Sequence, residues 1–253
     1  MKNLRRLLLA GLSMLAVSAG GAYNYLFIGD SITDGNWGSP KGWPCPSEKR
    51  NTADQNHIYG HGYAEMTIGV LASENPDTAV RYFNRGISGN TLSQMADRWD
   101  KDALALDPDL VSILIGINDV HEALKKGTEI DYSAWESKLD SLLTITQERK
   151  PDVRIMLGTP FTARVGKVGA SSDYGRGLEM TRKLADIVRK VGARHGAAIV
   201  SYNELIGKLT ADTTHVPASY WLWDGIHPTT QCHALMSRLW LEKYAEQVKE
   251  TQL

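Results

Sequence analysis

YLFIGDSITD, residues Tyr25 to Asp34, is the stretch that decides the fold. Its apolar run, residues 26–28, is short, continuous and bounded by turn-forming residues, which predicts a β-strand buried on both faces. Gly29 allows a tight turn because it carries no Cβ atom. Ser31 therefore falls just beyond the carboxyl end of a buried strand, where open α/β sheets place their ligands. Its hydroxyl is a candidate nucleophile, and the alternative is a cap for the next helix.

Further apolar runs with the character of strands follow along the chain, and helical patterns separate them. The strand-like runs cover residues 79–84, 110–115, 153–157 and 198–202. The helical patterns cover residues 62–74, 91–105, 132–149, 177–195 and 229–248. Strands that alternate with helices imply βαβ crossovers, and hence an α/β fold with a parallel sheet covered on both faces. Residues 36–57 show no periodicity, and loops of that length tend to be functional.

The first residues have the layout of a secretory signal peptide. A basic start, residues 2–6, precedes an apolar stretch over 7–17, and small residues then surround a cleavage site after Ala19. The apolar stretch is too short for a comfortable membrane span. We therefore expect a signal peptide over residues 1–19, a single domain over 20–253, and an exported protein that is either periplasmic or extracellular.

Composition and charge narrow the class of partner. The chain is 42% hydrophobic and 23% charged, which is ordinary for a globular domain. Without the three basic residues of the expected signal peptide, 25 Lys and Arg face 29 Asp and Glu, a net charge of −4. This mild acidity disfavours nucleic acid or an anionic membrane as the main partner. Cys45 and Cys232 form no metal-binding pair, and in an exported protein they are either a disulfide or two buried thiols.

Residues suited to acyl transfer recur after the predicted strands and just before the last predicted helix. A serine nucleophile needs a base, a group that orients the base, and donors for the oxyanion. Asp224 and His227 are three residues apart and can share one side of a turn, although a plain surface turn is the alternative. Gly89 offers a backbone N–H and Asn118 a side-chain amide as oxyanion donors. Their alternatives are a turn glycine and a helix N-cap.

Four sequence blocks together resemble one family. In chain order they are Gly29-Asp30-Ser31, Gly86-Ile87-Ser88-Gly89-Asn90, Gly116-Ile117-Asn118-Asp119 and Asp224-Gly225-Ile226-His227-Pro228. With these blocks the sequence resembles the SGNH hydrolases, also called GDSL-type esterases, over essentially the whole predicted mature chain. The resemblance implies a three-layer, flavodoxin-like sandwich with five parallel strands. It also implies ester hydrolysis without a metal or an organic cofactor.

The same resemblance assigns roles to the individual residues. It implies Ser31 as the nucleophile, His227 as the base and Asp224 as the partner of that base. The backbone N–H groups of Ser31 and Gly89 and the side-chain amide of Asn118 would form the oxyanion hole. The serine, the aspartate and the histidine are all present, which disfavours a non-catalytic carbohydrate-binding protein on the same scaffold.

Aromatic residues suggest the substrate. The loops predicted to flank Ser31 contain Trp37, Trp43, Trp221 and Trp223. We predict that some of them form a stacking wall for a sugar ring; the alternative is that they pin the loops to the body. The sequence thus favours an exported serine esterase that removes small acyl groups, acetyl foremost, from carbohydrate. A lysophospholipase or thioesterase acting on acyl lipids remains the alternative, because the fold does not fix the substrate.

Other polar residues receive weaker interpretations. Asp30, Asp34 and Asp119 lie within or beside the four blocks, and they either cap nearby turns or tune the site. The histidines without a convincing partner in the sequence are interpreted as surface or capping residues; they are His121, His195, His215 and His233.

Overall fold

The structure, a computed structural model, describes residues 22–35, 59–74, 76–77 and 79–250, with the backbone alone at residue 250. The predicted signal peptide lies outside the described residues, as do Trp37, Trp43 and Cys45. Cys232 is fully buried, and its pairing with Cys45 stays a prediction.

Five parallel strands form the sheet. They are β1 (Tyr23–Gly29), β2 (Val80–Asn84), β3 (Leu110–Leu114), β4 (Arg154–Gly158) and β5 (Ala198–Val200). The strands pair in the order β2-β1-β3-β4-β5, and every pair is parallel. This is the flavodoxin-like order, which turns around at β1. The predicted five-stranded parallel sheet is confirmed.

Helices connect the strands and cover the sheet. They are α1 (Ser31–Asp34), α2 (Tyr63–Glu74), α3 (Leu92–Ala96), α4 (Trp99–Asp102), α5 (Ile117–Lys126), α6 (Tyr132–Arg149), α7 (Gly166–Ala170), α8 (Tyr174–Arg194), α9 (Tyr202–Ala211) and α10 (Thr230–Glu250). Helix α2 packs against α10, while α6 and α8 pack against each other and against the shorter α3 and α5. Within the described ranges, no helix is both long and apolar enough to cross a membrane.

The two helical groups lie on opposite faces of the sheet. Successive strand residues point to opposite faces, so Ser112 and Ile113 mark the two sides of β3. The indole N–H of Trp240 in α10 donates to Ser112 Oγ at 2.9 Å. Leu157 pairs in register with Ile113 and lies against α8, where a side-chain carbon at Gly192 would come within 3.3 Å of it. The central strands are mostly apolar because helices bury both of their faces.

The predicted helices need correction in two respects. The single helix predicted over residues 91–105 is divided into α3, α4 and a 3₁₀ turn at Leu104–Leu106. The break falls at Arg98, whose guanidinium donates to the carbonyl oxygens of Arg85 at 2.7 Å and Gly29 at 3.2 Å. Helices α5, α7 and α9 lie outside the predicted helical patterns. The first residues of α5 were interpreted as a motif at the end of a strand and not as the start of a helix.

His233 caps a helix that is remote in sequence. The backbone N–H of Tyr63, the first residue of α2, donates to His233 Nδ1 at 3.1 Å. The imidazole is buried, with 9% of the residue exposed. Burial lowers the pKa of His233 to about 4, and the nearby His227 acts in the same direction. Of the two interpretations from the sequence, His233 is a capping residue and not a surface residue.

This buried imidazole is expected to make the fold sensitive to acid. Because the folded-state pKa lies below the ordinary value of 6.5, the unfolded chain takes up the proton first as the pH falls. Stability is then lost between about pH 6.5 and pH 4, by up to about 3 kcal/mol from this group. We expect His233→Asn, which keeps an acceptor that does not titrate, to reduce the loss measured by denaturant unfolding at pH 7 and pH 4.5. The exposed His215, changed to Asn, is the control, and an identical acid loss in both variants would contradict the assignment.

Candidate active site

Ser31 lies at the carboxyl edge of the sheet. It is the first residue of α1, and the Asp30 carboxylate caps that helix by accepting from the Ile32 backbone N–H at 3.0 Å. A side-chain carbon at Gly29 would collide with the Leu114 carbonyl oxygen of β3. Only glycine therefore lets β1 approach β3 this closely immediately before the serine.

Three side chains predicted to act together form a continuous hydrogen-bonded chain. Ser31 Oγ lies 2.8 Å from His227 Nε2, although the two residues are 196 positions apart. His227 Nδ1 lies 2.7 Å from Asp224 Oδ2. The structure thus brings together the residues that the sequence proposed as nucleophile, base and orienting acid.

Asp224 fixes both the position and the tautomer of the imidazole. Its Oδ1 atom accepts from the backbone N–H groups of Ile226 at 3.0 Å and His227 at 2.8 Å. Burial opposes the charge of this carboxyl, but the hydrogen bonds from His227 and Ile226 outweigh it and lower the pKa of Asp224. An ionised Asp224 holds the proton of His227 on Nδ1. The Nε2 lone pair is then available to accept the proton of Ser31.

The loop that carries Asp224 and His227 is held by the β4–α8 connection. Gly225 has φ +100°, and a side-chain carbon there would lie 2.6 Å from the Val165 carbonyl oxygen. The Ala163 N–H donates to the Gly225 carbonyl at 2.9 Å, and the Val168 N–H donates to that of Asp224 at 3.2 Å. The position of Asp224 is therefore fixed by backbone contacts with the β4–α8 connection, and these contacts require a glycine at the next position.

The two other predicted donors follow the two strands that flank β1. Gly89, after β2, is exposed and has φ +84°, a conformation that favours glycine. A side-chain carbon at Gly89 would meet no heavy atom within 4 Å. Asn118, after β3, donates one amide N–H to the Asn90 carbonyl at 3.1 Å. The N-cap of α5 is Gly116, so the interpretation of Asn118 as an N-cap is wrong.

Among the described residues, the predicted aromatic wall is represented by one open tryptophan. Trp223 is 62% exposed, and its ring lies 5.8 Å from the His227 ring at an angle of 20°, which is a stacked arrangement. Trp221 is only partly exposed, packs against the core and contacts Tyr220 edge to face. Trp221 thus fits the loop-pinning alternative, while Trp223 presents an aromatic face beside the imidazole.

His121 and a small cleft beside the catalytic loop were missed at the sequence level. The cleft, of about 190 Å³, lies between α5, α7 and α8, and its lining includes His121, Thr162, Lys167 and Tyr174. Burial lowers the pKa of His121, and the nearby His227 acts in the same direction while Asp224 opposes it. With α5 unpredicted, nothing in the sequence placed His121 one helical turn after Asn118.

Buried acidic groups surround the nucleophile. Burial raises the pKa of Asp30 to about 7, with Asp119 and Asp34 adding to the effect. Burial also raises the pKa of Asp119 to about 6, against the hydrogen bonds that it accepts. Among the described residues, no three His, Cys, Asp or Glu side chains are grouped as a metal site would require.

Residues 27–235 match the sequence profile of the GDSL-like lipase/acylhydrolase family. The chain belongs to this family. The match includes all four blocks, and the resemblance identified in the sequence is confirmed. The protein is accordingly a GDSL-type esterase, a hydrolase of carboxylic esters.

Individual relatives extend the family match over most of the chain. An acetylxylan esterase of Geobacillus stearothermophilus is 32% identical over 238 residues, which are 88% of this chain and 94% of that protein. The crystal structure of Axe2, an acetylxylan esterase from the same organism, has a TM-score of 0.68 at 28% identity and covers 88% of this chain and 94% of its own. A candidate GDSL-like lipase from Parabacteroides merdae has a TM-score of 0.74 at 33% identity, with coverage of 88% and 95%. Other solved structures of Axe2 are of catalytic mutants in which a serine or an aspartate is replaced by alanine.

Proposed function

We propose that this GDSL-type esterase removes small acyl groups, acetyl foremost, from carbohydrate by a Ser-His-Asp mechanism. The observation that carries the proposal is the unbroken chain of hydrogen bonds from Ser31 through His227 to Asp224, at 2.8 and 2.7 Å. In a member of an esterase family, such a chain at a sheet edge is the arrangement that activates a serine hydroxyl.

The proposed reaction begins with proton transfer from Ser31 Oγ to His227 Nε2 as the oxygen attacks the ester carbonyl. Asp224 stabilises the imidazolium that forms. The backbone N–H groups of Ser31 and Gly89 and the Asn118 amide receive the oxyanion, and each such donor typically contributes about 3 kcal/mol. His227 then protonates the leaving alcohol, and water repeats the sequence on the acyl-enzyme.

The position of Trp223 supports a carbohydrate as the alcohol part of the ester. The leaving alcohol takes its proton from His227, so it departs on the side of the imidazole. Trp223 is stacked beside that ring and is 62% exposed. An open indole face suits the apolar face of a sugar ring. The similarity to an acetylxylan esterase points to the same combination of acetyl group and sugar.

The acyl-lipid alternative finds less support. A long acyl chain needs an apolar channel that opens at Ser31. An apolar groove of about 490 Å³ lies between α2 and α10, with Met66, Val70 and Leu241 in its lining. None of Ser31, Asp224 and His227 contributes to that lining.

Export through the predicted signal peptide remains part of the proposal, since a polysaccharide substrate would be met outside the cytoplasm.

Ester preference is the direct test. We expect acetate release from acetylated xylo-oligosaccharides. We also expect p-nitrophenyl acetate to be hydrolysed with a kcat/KM at least about 100-fold above that for the palmitate, since the apolar groove between α2 and α10 has none of Ser31, Asp224 and His227 in its lining. A preference for palmitate would favour the lipid alternative. Binding of the oligosaccharide without any hydrolysis would favour the non-catalytic one.

The Trp223→Ala variant tests whether Trp223 contacts the sugar of the substrate. Loss of one stacked aromatic ring is expected to lower kcat/KM for acetylated xylo-oligosaccharide about 10-fold. Hydrolysis of ethyl acetate, whose alcohol is too small to stack, should change by no more than about twofold. Tyr220→Ala is the matched control, because Tyr220 is also exposed but has Trp221 as its ring partner. Equal losses for both esters would contradict a sugar contact.

A further inference from the structure

Gly89 lies in a connecting segment whose ends, Arg85 and Thr91, are buried, but it has no side chain of its own to pack there. Residues 85–91 connect β2 to α3 without helix or strand. Gly89 is exposed, and the position of its missing side chain opens into empty space. The place of its N–H group is therefore set by what fastens the residues on either side of it.

On one side the fastening is Asp34. Its Oδ2 atom accepts from Ser88 Oγ at 2.7 Å and from the Ser88 backbone N–H at 3.2 Å. Asp34 is the last residue of α1, which begins with Ser31, and it is buried, with 1% exposed. This carboxylate thus connects the element of the nucleophile to the residue that precedes Gly89.

On the other side Asn90 accepts from the Asn118 amide at 3.1 Å and from Arg98 Nε at 2.8 Å, and the next fastening along the chain is Asp119. Its carboxylate accepts from the Leu92 backbone N–H, at 3.2 and 3.3 Å to the two oxygens, and from the Trp135 indole N–H at 3.1 Å. Asp119 directly follows Asn118 in the first turn of α5. It therefore connects the element of the proposed amide donor to the first residue of α3, three positions after Gly89.

We infer that Asp34 and Asp119 form a carboxylate clamp that positions the oxyanion hole. Each belongs to the element of one proposed donor. Asp34 holds the segment that presents the third donor, and Asp119 holds the first residue of the helix that follows that segment. The clamp sets the separation between the Gly89 N–H, the Ser31 N–H and the Asn118 amide, because it fixes the Gly89 segment against both neighbours. Fixed donors stabilise an oxyanion without reorganising during the reaction. Asp34 and Asp119 are positioning residues, and the inference rests on the proposed roles of Ser31, Gly89 and Asn118.

The first test is the effect of Asp119→Ala on kcat and KM separately. A displaced donor stabilises the oxyanion of the transition state less well, but it does not change the binding of the ester before reaction. The kcat for p-nitrophenyl acetate should therefore fall about 10- to 100-fold, while KM changes by less than about threefold. Asp119→Asn should recover most of the loss, since its oxygen can still accept from Leu92 and Trp135. The affinity of a boronic acid that adds to the serine should fall by the same factor as kcat.

Matched variants separate positioning from folding. Asp131 caps α6 through the Ala134 N–H at 3.0 Å, so Asp131→Ala should lower the melting temperature without changing kcat. A fall in melting temperature for Asp119→Ala with kcat within about twofold of the wild type would overturn the clamp.

If Asp119→Ala does not fold, Ser88→Ala tests the Asp34 side of the clamp. A kcat loss of about fivefold at constant KM is expected, and an unchanged kcat overturns the inference. If Ser31→Ala retains activity, the proposed mechanism itself is wrong. If Ser31→Ala is inactive, the Asp119 and Ser88 variants test the clamp alone.

Discussion

Ser31→Ala is expected to lower kcat at least about 10⁴-fold for any ester that the enzyme hydrolyses, because it removes the proposed nucleophile. The hydroxyl touches His227 Nε2 at 2.8 Å and lies in a short helix that Asp30 caps. Its removal takes one oxygen from a partly exposed position, so the fold should be unchanged. Initial-rate kinetics on purified protein measure the effect, and circular dichroism with a thermal melt checks the fold.

A surface serine provides the comparison. Ser141 lies on the exposed side of α6, where its hydroxyl donates to the Ser137 carbonyl at 2.8 Å. Ser141→Ala should keep full activity under the same assay. If the folded Ser31→Ala protein hydrolyses p-nitrophenyl acetate at more than about one hundredth of the normal rate, the assignment of the nucleophile fails.

Asp224→Asn is the second large effect, with an expected fall in kcat of about 10³- to 10⁴-fold. The asparagine oxygen can keep the bonds from the Ile226 and His227 backbone N–H groups that Oδ1 now accepts. Its NH₂ group would then face His227 Nδ1 in place of a carboxylate. The imidazole must accept there, which moves its proton to Nε2 and leaves no lone pair for the hydroxyl of Ser31.

The same substitution elsewhere separates chemistry from turn formation. Asp212 also accepts from a backbone N–H two residues later, that of Thr214 at 3.0 Å, and it is exposed. Asp212→Asn should leave kcat unaltered. Proton NMR of the imidazole, which can report the position of its proton, should show the Nδ1–H signal lost in Asp224→Asn. Retained activity with that signal present would show that the carboxylate does not orient the base.

The parts of the fold that the sequence predicted well are those whose signal is local. The central strands β1, β3 and β4 are mostly apolar and buried on both faces, and β1 and β3 are followed by glycine-containing blocks that can be recognised directly. The residues of the hydrogen-bonded chain could be identified for the same reason, since each lies in one of the four sequence blocks. Parallel pairing then places the ends of the strands at one edge of the sheet.

What the sequence did not predict depends on contacts between distant residues. The break at Arg98 accompanies hydrogen bonds to Gly29 and Arg85. The spacing of apolar residues along the sequence does not predict such partners. His233 caps a helix that begins 170 positions earlier in the chain. Asp34 and Asp119 looked like turn caps because their partners, Ser88 and Leu92, lie in another connection. Tertiary hydrogen bonds of this kind override local preference and can be seen only once the chain is folded.

The 196-residue separation between the serine and its imidazole partner also bears on how the protein acquires activity. The two groups belong to the first strand connection and to the turn before the last helix, so no fragment that lacks either end can assemble them. Contacts between such distant positions form slowly, because a long loop must close before they contribute. Catalytic competence therefore requires both ends of the polypeptide to come together on the folded sheet.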